Sequence, residues 1–219
     1  MSLELISFKT CPFVQRTVIT LGYKNVAHKI TFIDLADPPE WFLELSPLGK
    51  VPVLKVDGEV LFESAVINEY VDEITGGELQ PKEPLMRAKN RAWIEYASNM
   101  LGSAYMMKMA KDKEGYEKYR SQLLSQMQRI ENQLGDGSWF NGDQFSLADT
   151  AFAPIFMHDA VADYRFSIID FESLPKISAW SKRLLALPAV KQSVVADFEV
   201  IFLNAIENAG SYCWKNSIN

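Results

Sequence analysis

The stretch LELISFKTCPFV, residues 3–14, determines which fold the rest of the chain must complete. Its first six residues, 3–8, form an apolar run that predicts a β-strand. Pro12 suits the first turn of a helix, where its missing N–H costs no hydrogen bond. A helical stripe ends near Gly22, and its apolar members are Val14, Val18 and Leu21. Apolar and polar residues alternate again at 29–35, which predicts a second strand and therefore a strand–helix–strand unit.

A hairpin signal follows this unit. The dipeptide Asp57-Gly58 stands between two short apolar runs, Val53–Val56 and Glu59–Phe62, and it favours a type I′ turn. A helix is predicted from Ser64, with one apolar side made of Val66, Ile67, Tyr70, Val71 and Ile74. The order βαβ followed by ββα predicts a small mixed sheet with helices, which is an α/β domain.

The pattern changes after residue 75. Thr75-Gly76-Gly77 and the segment 81–84, which holds two prolines, interrupt regular structure. Beyond them the strand signals nearly vanish, and the periodicity predicts helices over residues 85–112, 116–134, 146–164, 174–186 and 189–206. We therefore expect two domains, an α/β domain over residues 1–75 and an all-α domain over residues 84–219.

A capping signal marks the start of the helix predicted at 146–164. Ser146 precedes an apolar run, and the acidic Asp149 follows three positions later. This is the spacing of a capping box, in which two side chains satisfy free N–H groups at a helix start. We assign this pair to folding rather than to chemistry.

The composition limits the possible partners. The chain has 219 residues, a net charge of −6 and two cysteines. It has no basic block, so we expect no nucleic-acid partner. Cys11 and Cys213 lie far apart, form no metal-ligand pattern and suit a reducing compartment. With no signal peptide and no membrane-spanning run, we expect a cytoplasmic protein without membrane contact or metal. Two histidines without partner spacing, His28 and His158, are expected to be structural.

Cys11 stands directly before the helix that begins at Pro12. A thiol at this N-cap position faces free N–H groups and the positive end of the helix dipole, which favour the nucleophilic thiolate. We therefore expect a lowered pKa and a reactive cysteine, while a buried core cysteine is the alternative. The motif lacks the second thiol of a Cys-x-x-Cys pair, so an external thiol would have to resolve a mixed disulfide.

Two further sites contain features of a peptide-binding cleft. Pro52 enters a strand, and a cis bond before it would turn the Val51 backbone outward for pairing with a peptide ligand. Glu63 and Ser64 lie where a strand ends and a helix begins. Free N–H groups and the Ser64 hydroxyl can bind a carboxylate, and Glu63 can bind an ammonium group. An α-amino acid offers both charges, although an ordinary N-cap is the simpler reading of Ser64.

These features together resemble the cytosolic glutathione transferases. The matching motifs occur in the family's order across almost the whole chain: Cys11-Pro12-Phe13, Val51-Pro52-Val53-Leu54, Glu63-Ser64 and Ser146-Leu147-Ala148-Asp149. The first of them, with Pro39-Glu40-Trp41-Phe42, is similar to omega-like members that use cysteine. The resemblance implies a thioredoxin-like first domain that binds glutathione.

The resemblance also implies a role for individual residues. Cys11 would attack or form a mixed disulfide with glutathione, and Phe13 would line the tripeptide's cleft. Val51, before a cis Pro52, would pair with the cysteinyl part of glutathione. The γ-glutamyl amino and carboxylate groups would bind Glu63 and Ser64. The sequence departs from the omega pattern at Pro38, where a lysine often contacts the glycyl end, and Lys50 is an alternative source of that charge.

The second substrate would lie between the domains, against the long helix. Its predicted wall consists of aromatic and methionine side chains, which adapt to several ligands; Tyr96, Met100 and Trp180 are the principal candidates, and Tyr105, Met106 and Met107 are also available. Simple helix core is the alternative for each of them. The family resemblance also implies a homodimer.

Three functions fit these observations. The first is a glutathione-dependent thiol transferase or reductase, of the thiol transferase or dehydroascorbate reductase type, that takes glutathione from a small mixed disulfide. The second is conjugation or reductive dehalogenation of small electrophiles in the same cleft. The third is a non-catalytic protein-binding module, although a scaffold has no need for an activated thiol.

Overall fold

The computed structural model describes residues 1–166 and 170–216, and it divides into a β-sheet part and a helical part. Within the described residues the first part contains strands β1 (Leu3–Ser7), β2 (Lys29–Phe32), β3 (Val53–Val56) and β4 (Glu59–Phe62), with helices α1 (Pro12–Tyr23), α2 (Glu40–Leu45) and α3 (Ser64–Glu73). This thioredoxin-like arrangement confirms the predicted α/β class. The two residue gaps, 167–169 and 217–219, fall within the span predicted as the second domain.

The sheet is mixed and has the strand order β2-β1-β3-β4. Strand β1 pairs parallel with β2 and antiparallel with β3, and β3 pairs antiparallel with β4. The parallel pair follows from the α1 crossover, because parallel neighbours need a long connection. The β3–β4 turn has φ of 48° at Asp57 and 100° at Gly58. Positive φ at both central residues is the type I′ requirement, and the predicted hairpin is confirmed.

Helices cover both faces of this sheet. Helices α1 and α3 bury one face, where Leu5, Leu54 and Ile67 are fully buried. Helix α2 covers the other face by inserting Phe42 against Ile6 and Val53. We did not predict α2, because six residues are too few to show a helical period.

The helical part contains the remaining elements. They are α4 (Pro84–Met109), α5 (Lys113–Gln133), α6 (Leu147–Phe166), α7 (Pro175–Ala186), α8 (Pro188–Lys191), α9 (Phe198–Asn208) and α10 (Tyr212–Lys215). The prediction of one helix over 189–206 is wrong. Ser193 bonds Val190 O through both its backbone N–H and its hydroxyl, which ends α8 before α9 begins. None of the described helices combines the length and the apolar character that crossing a membrane requires.

The acidic half of the predicted cap of α6 is confirmed and is part of a larger junction, while the Ser146 hydroxyl donates to Asp149 instead of accepting from a helix N–H. Asp149 is fully buried, and its Oδ2 accepts hydrogen bonds from the Ser146 N–H at 2.9 Å and hydroxyl at 2.8 Å. Its Oδ1 accepts from Phe140 N at 2.9 Å and from Trp180 Nε1 at 2.8 Å. One carboxylate therefore joins the loop before α6, α6 itself and α7.

The two parts pack together through α1. Helix α1 lies against α6 and α8, with Gln15, Arg16 and Ile19 buried at the contact. Gln15 Nε2 donates to Ser193 Oγ at 3.0 Å, and Arg16 Nη1 donates to Ser98 Oγ at 3.1 Å. The helix that begins beside Cys11 is therefore held on two sides by the helical part.

Candidate active site

Cys11 occupies the N-cap of α1, as predicted. Its backbone is extended, with φ −74° and ψ 116°, and Pro12 fills the first helical position. The Cys11 N–H donates to Phe8 O at 3.2 Å, and the Cys11 carbonyl accepts from Gln15 N at 2.9 Å. The sulfur is thus held at the junction between β1 and α1.

The prediction of a lowered Cys11 pKa is wrong for this structure. Burial raises the pKa of Cys11 to about 11, while the backbone amides of Val14 and Phe13 and the charge of Arg16 lower it by less. The residue is 6% exposed. Desolvation disfavours the thiolate more than the helix terminus favours it. The groups that favour a thiolate are present, and it is burial that outweighs them.

We expect iodoacetamide to alkylate Cys11 of the unliganded protein slowly at pH 7, with a rate that rises about tenfold per pH unit up to roughly pH 10. The sign follows from the raised pKa, since the thiol stays protonated until the pH approaches about 11. Mass spectrometry of the Cys11 peptide in a Cys213→Ser protein measures this rate without the second thiol. A plateau below pH 8 would instead mean the activated thiolate that the sequence alone suggests.

A cleft of about 270 Å³ opens beside the start of α1. All six residues predicted to bind the tripeptide line it: Phe13, Lys50, Val51, Pro52, Glu63 and Ser64. The Val51–Pro52 peptide bond is cis, as predicted. Lys50 is exposed at the cleft, and its segment is fixed because Lys50 N donates to Ser46 Oγ at 2.9 Å.

Glu63 and Ser64 form the polar end of this cleft. Glu63 lies at the N-cap of α3 with φ 69° and ψ 112°, and Ser64 begins the helix and is buried. Positive φ is uncommon for a residue other than glycine and is concentrated at ligand sites. The helix start directs free N–H groups toward an anion, and the exposed Glu63 carboxylate can meet a cation. The geometry suits the two charges of an α-amino acid.

Arg16 is a site residue that we did not predict. It is fully buried on α1, and its guanidinium carbon lies 5.1 Å from the centroid of the Phe13 ring. Burial lowers the pKa of Arg16 to about 10, so it remains a cation at neutral pH. Its spacing of three positions from Phe13 was the available signal, because residues i and i+3 of a helix lie on the same face.

A larger cavity of about 500 Å³ lies between the two parts of the fold. Thr10 and Pro12, which flank the thiol in the chain, line one end of it. Most of its wall is apolar, with Leu101 of α4, Ile155 of α6 and Phe202 of α9. Cys11 itself is not among the residues that line the cleft or this cavity, and it lines a third, smaller hollow of about 90 Å³. Its neighbours along the chain border both larger spaces, and the cavity has a size that takes small molecules.

The predicted wall of this cavity is largely wrong. Tyr105 lines it, but the candidates Tyr96, Met100 and Trp180 do not. Tyr96 is half-buried and donates to Gln126 O of α5 at 3.3 Å, and Met100 is buried in the helical core. The cavity is lined by the helix face of residues 101, 104, 105, 108 and 109, and residues 96 and 100 lie on another face.

Trp180 is a core residue. It is 1% exposed, stacks edge-on with Phe152 and Phe156, and donates to Asp149. It lines a different hollow, beside residues 134–137 and Trp139.

His158 links the large cavity to α1. Its Nε2 lies 3.0 Å from Gln15 Oε1, and burial lowers its pKa to about 3, so the ring is neutral. The expectation that His158 is structural agrees with this position between helices. Among the described residues, no cluster of three or more His, Cys, Asp and Glu side chains could hold a metal ion.

Comparison with known proteins gives matches along most of the chain. Residues 10–74 match the model of the glutathione S-transferase N-terminal domain, and residues 95–188 match that of the C-terminal domain. The chain is 28% identical over 192 residues to glutathione S-transferase omega-1 of Sus scrofa, covering 86% of this chain and 78% of the relative. It is 31% identical over 200 residues to glutathione S-transferase DHAR2 of Arabidopsis thaliana, covering 86% and 89%.

A solved structure matches most of the chain. The crystal structure of a glutathione S-transferase from Methylobacillus flagellatus with bound glutathione superposes with a TM-score of 0.78. The two chains are 25% identical, and the match covers 88% of this chain and 99% of the other. This chain therefore belongs to the glutathione S-transferase family and is an omega-like transferase.

Proposed function

We propose that this protein is a glutathione-dependent thiol transferase or reductase in which Cys11 carries glutathione as a mixed disulfide. The observation that carries the proposal is a single thiol at the N-cap of α1 whose neighbours along the chain line the polar cleft (Phe13) and the apolar cavity (Thr10 and Pro12). A lone thiol can accept one glutathione as a mixed disulfide, and a second glutathione must then attack this disulfide to free the thiol. The similarity to glutathione S-transferases omega-1 and DHAR2 supports the glutathione-dependent transferase or reductase activity, and the mixed disulfide is the part that we add.

Glutathione would bind in the cleft through both ends. Its γ-glutamyl carboxylate would accept from the N–H groups and hydroxyl at Ser64, and its ammonium group would meet Glu63. The Val51 backbone would pair with the cysteinyl residue, and Lys50 would bind the glycyl carboxylate. We expect this placement to bring the glutathione sulfur toward residue 11.

The reaction would have two displacement steps. In the first, the Cys11 thiolate attacks the glutathione sulfur of a mixed disulfide RS–SG, the S–S bond breaks, and RS⁻ leaves and takes a proton from water. In the second, the thiolate of another glutathione attacks the Cys11–SG disulfide. This step releases oxidised glutathione and restores the Cys11 thiolate, so the net reaction is RSSG + GSH → RSH + GSSG.

The direct test is reduction of the cysteine–glutathione mixed disulfide, coupled to NADPH oxidation by glutathione reductase. We expect consumption of NADPH that requires the protein, glutathione and the mixed disulfide together. Dehydroascorbate serves as a second substrate in the same assay. A rate no higher than that of glutathione alone would contradict the proposal.

The apolar cavity favours conjugation of small electrophiles as a second candidate activity. In conjugation the glutathione thiolate attacks the electrophile, and Cys11 forms no covalent bond. An assay with 1-chloro-2,4-dinitrobenzene measures this activity directly. Turnover of the aryl halide without turnover of the mixed disulfide would favour this second candidate.

We expect Ser64→Ala to weaken glutathione binding by about 1–3 kcal/mol, because a buried hydrogen bond to the ligand's charged carboxylate is lost. Calorimetric titration with glutathione measures the change. Ser121→Ala is the matched control, since Ser121 is an exposed helical serine of α5. Equal affinity in the Ser64→Ala and wild-type proteins would place the carboxylate elsewhere.

We also propose a homodimer built on one apolar surface. Four large side chains are exposed on β4, α3 and the start of α4, namely Phe62, Val66, Leu85 and Met86. A bidentate pair between Glu69 and Arg91, with distances of 2.7 and 2.6 Å, holds α3 beside α4. Light scattering should give twice the chain mass for the wild type and the single chain mass for Val66→Asp/Leu85→Asp; a monomeric wild type would refute the dimer.

We propose the cytoplasm as the site of action. Cys11 and Cys213 are both free thiols, and the proposed reaction requires a pool of reduced glutathione. Cell fractionation of the full chain should recover the protein with cytosolic markers, and recovery with an organelle would refute this location.

A further inference from the structure

The large cavity between the two parts of the fold contains one formal charge. Lys108 of α4 lines the cavity, and among the lining residues that the structure describes it is the one charged side chain at neutral pH. The other polar groups of the wall are neutral, such as Thr10, Tyr105 and Asn208. A buried cation in an apolar wall is costly unless an anion compensates it.

Asp159 supplies part of that compensation from behind the wall. Its Oδ1 pairs with Lys108 Nζ, and both residues are almost fully buried. Asp159 is not among the lining residues, so Lys108 is the member of the pair that lies at the cavity wall. A lysine ammonium has three donors, and Asp159 occupies one of them.

The wall around Lys108 suits an apolar or aromatic group next to a charge. Lys108 Nζ lies 5.8 Å from the centroid of the Phe202 ring, and Ile155 and Leu101 extend the apolar surface toward Thr10 and Pro12. A ligand that fills this space therefore meets apolar side chains along its body and a cation at one end. A positively charged ligand would be repelled there, and a neutral one would leave the ammonium donors unused.

From these contacts we infer that the cavity selects organic acids, with an apolar body against the α4–α6–α9 wall and a carboxylate-type anion on Lys108. The inference rests on the proposed function, because it names the class of disulfide or electrophile that reaches Cys11. Lys108 is then the residue that determines specificity for the second substrate.

Two probes of the same shape test this inference. The pair is 4-phenylbutanoate and 4-phenylbutanamide, which differ in charge. Their binding requires neither glutathione nor a reaction with Cys11. By calorimetry we expect the acid to bind wild-type protein about tenfold more tightly than the amide. In Lys108→Met/Asp159→Leu the preference should disappear, and it should persist in Lys108→Arg. Both charges are removed together because a single removal would leave a buried charge unpaired.

The control is Lys111→Met, which removes an exposed lysine just beyond α4 and outside the cavity lining. It should keep the tenfold preference. If the double variant does not fold, crystals of the wild type with 4-(4-bromophenyl)butanoate decide the question. The bromine signal must then lie in the cavity and the carboxylate within hydrogen-bonding distance of Lys108.

Equal binding of the two probes to the wild type would overturn the inference, as would a preference that survives the loss of both charges. The outcome is separate from that of the disulfide assay. An inactive protein that still prefers the acid refutes the thiol-transferase proposal and leaves the cavity's selectivity intact. An active protein that binds both probes equally supports the thiol-transferase proposal and overturns the inference about the cavity's selectivity.

Discussion

Replacing Cys11 by serine is expected to lower glutathione-dependent disulfide reduction by about a thousandfold or more, because the variant has no sulfur to carry glutathione. Serine is close in size to cysteine and keeps the N-cap of α1, so the fold should be preserved. The coupled assay with the cysteine–glutathione mixed disulfide measures the loss, and circular dichroism checks the fold.

Cys213→Ser is the matched control. Cys213 of α10 is also buried, but it lies in the helical part of the fold. Its sulfur lies 3.2 Å from Ser211 Oγ and donates to the backbone carbonyl of Lys108. Its replacement should leave disulfide reduction unchanged. Reduction that survives in Cys11→Ser would contradict the mixed-disulfide mechanism. Conjugation of an aryl halide should survive in that variant, since a hydroxyl can still donate to the glutathione thiolate.

The buried thiol also sets the pH dependence of the reaction. With a pKa of about 11, Cys11 is a thiolate in a small fraction of molecules at pH 7. The greater basicity of the Cys11 thiolate offsets only part of the loss in its population. The first step is then slower than with an unperturbed thiol, and its rate should rise with pH.

Replacing Asp149 by alanine is expected to lower the free energy of unfolding by about 3–5 kcal/mol. Four donors lose their acceptor together, from Phe140, Trp180 and both groups of Ser146. These donors are buried and cannot turn to water, so the cost exceeds that of an exposed cap. Urea unfolding followed by tryptophan fluorescence measures the change.

Asp112→Ala provides the comparison, because Asp112 caps α5 at an exposed position by accepting from Gly115 N at 2.8 Å. This substitution should lower the free energy of unfolding by about 1 kcal/mol. Asp149→Asn should fall between the two, since an amide retains one acceptor oxygen. Equal losses in Asp112→Ala and Asp149→Ala would mean that the buried junction contributes no more than an ordinary cap.

The sequence predicted the features that depend on neighbours along the chain. The strand at residues 3–8, the Asp57-Gly58 turn and the acidic half of the Ser146–Asp149 cap each follow from local backbone preferences, and the structure confirms them. The short α2 and the break between α8 and α9 were missed. Both depend on a few residues whose conformation is set by contacts rather than by a repeating pattern.

The candidate site shows the same division. The motif around Pro52 and the pair Glu63-Ser64 could be located from sequence, and the structure brings them to one cleft with Phe13. The wall of the larger cavity could not be located in this way. Which face of α4 meets α6 and α9 depends on long-range packing, so Lys108 and Tyr105 line the cavity while Met100 fills the core.

Order along the chain was sufficient to place a thiol at the start of α1, because capping and helix geometry act over a few residues. Order along the chain was not sufficient to determine the protonation state of that thiol, because this state depends on how much water distant segments exclude. Helix α1 supplies the amides of Phe13 and Val14 to the sulfur, and the surrounding core removes the solvent and raises the pKa of Cys11. Desolvation is a sum over all neighbours in space, and those neighbours are known once the chain has folded.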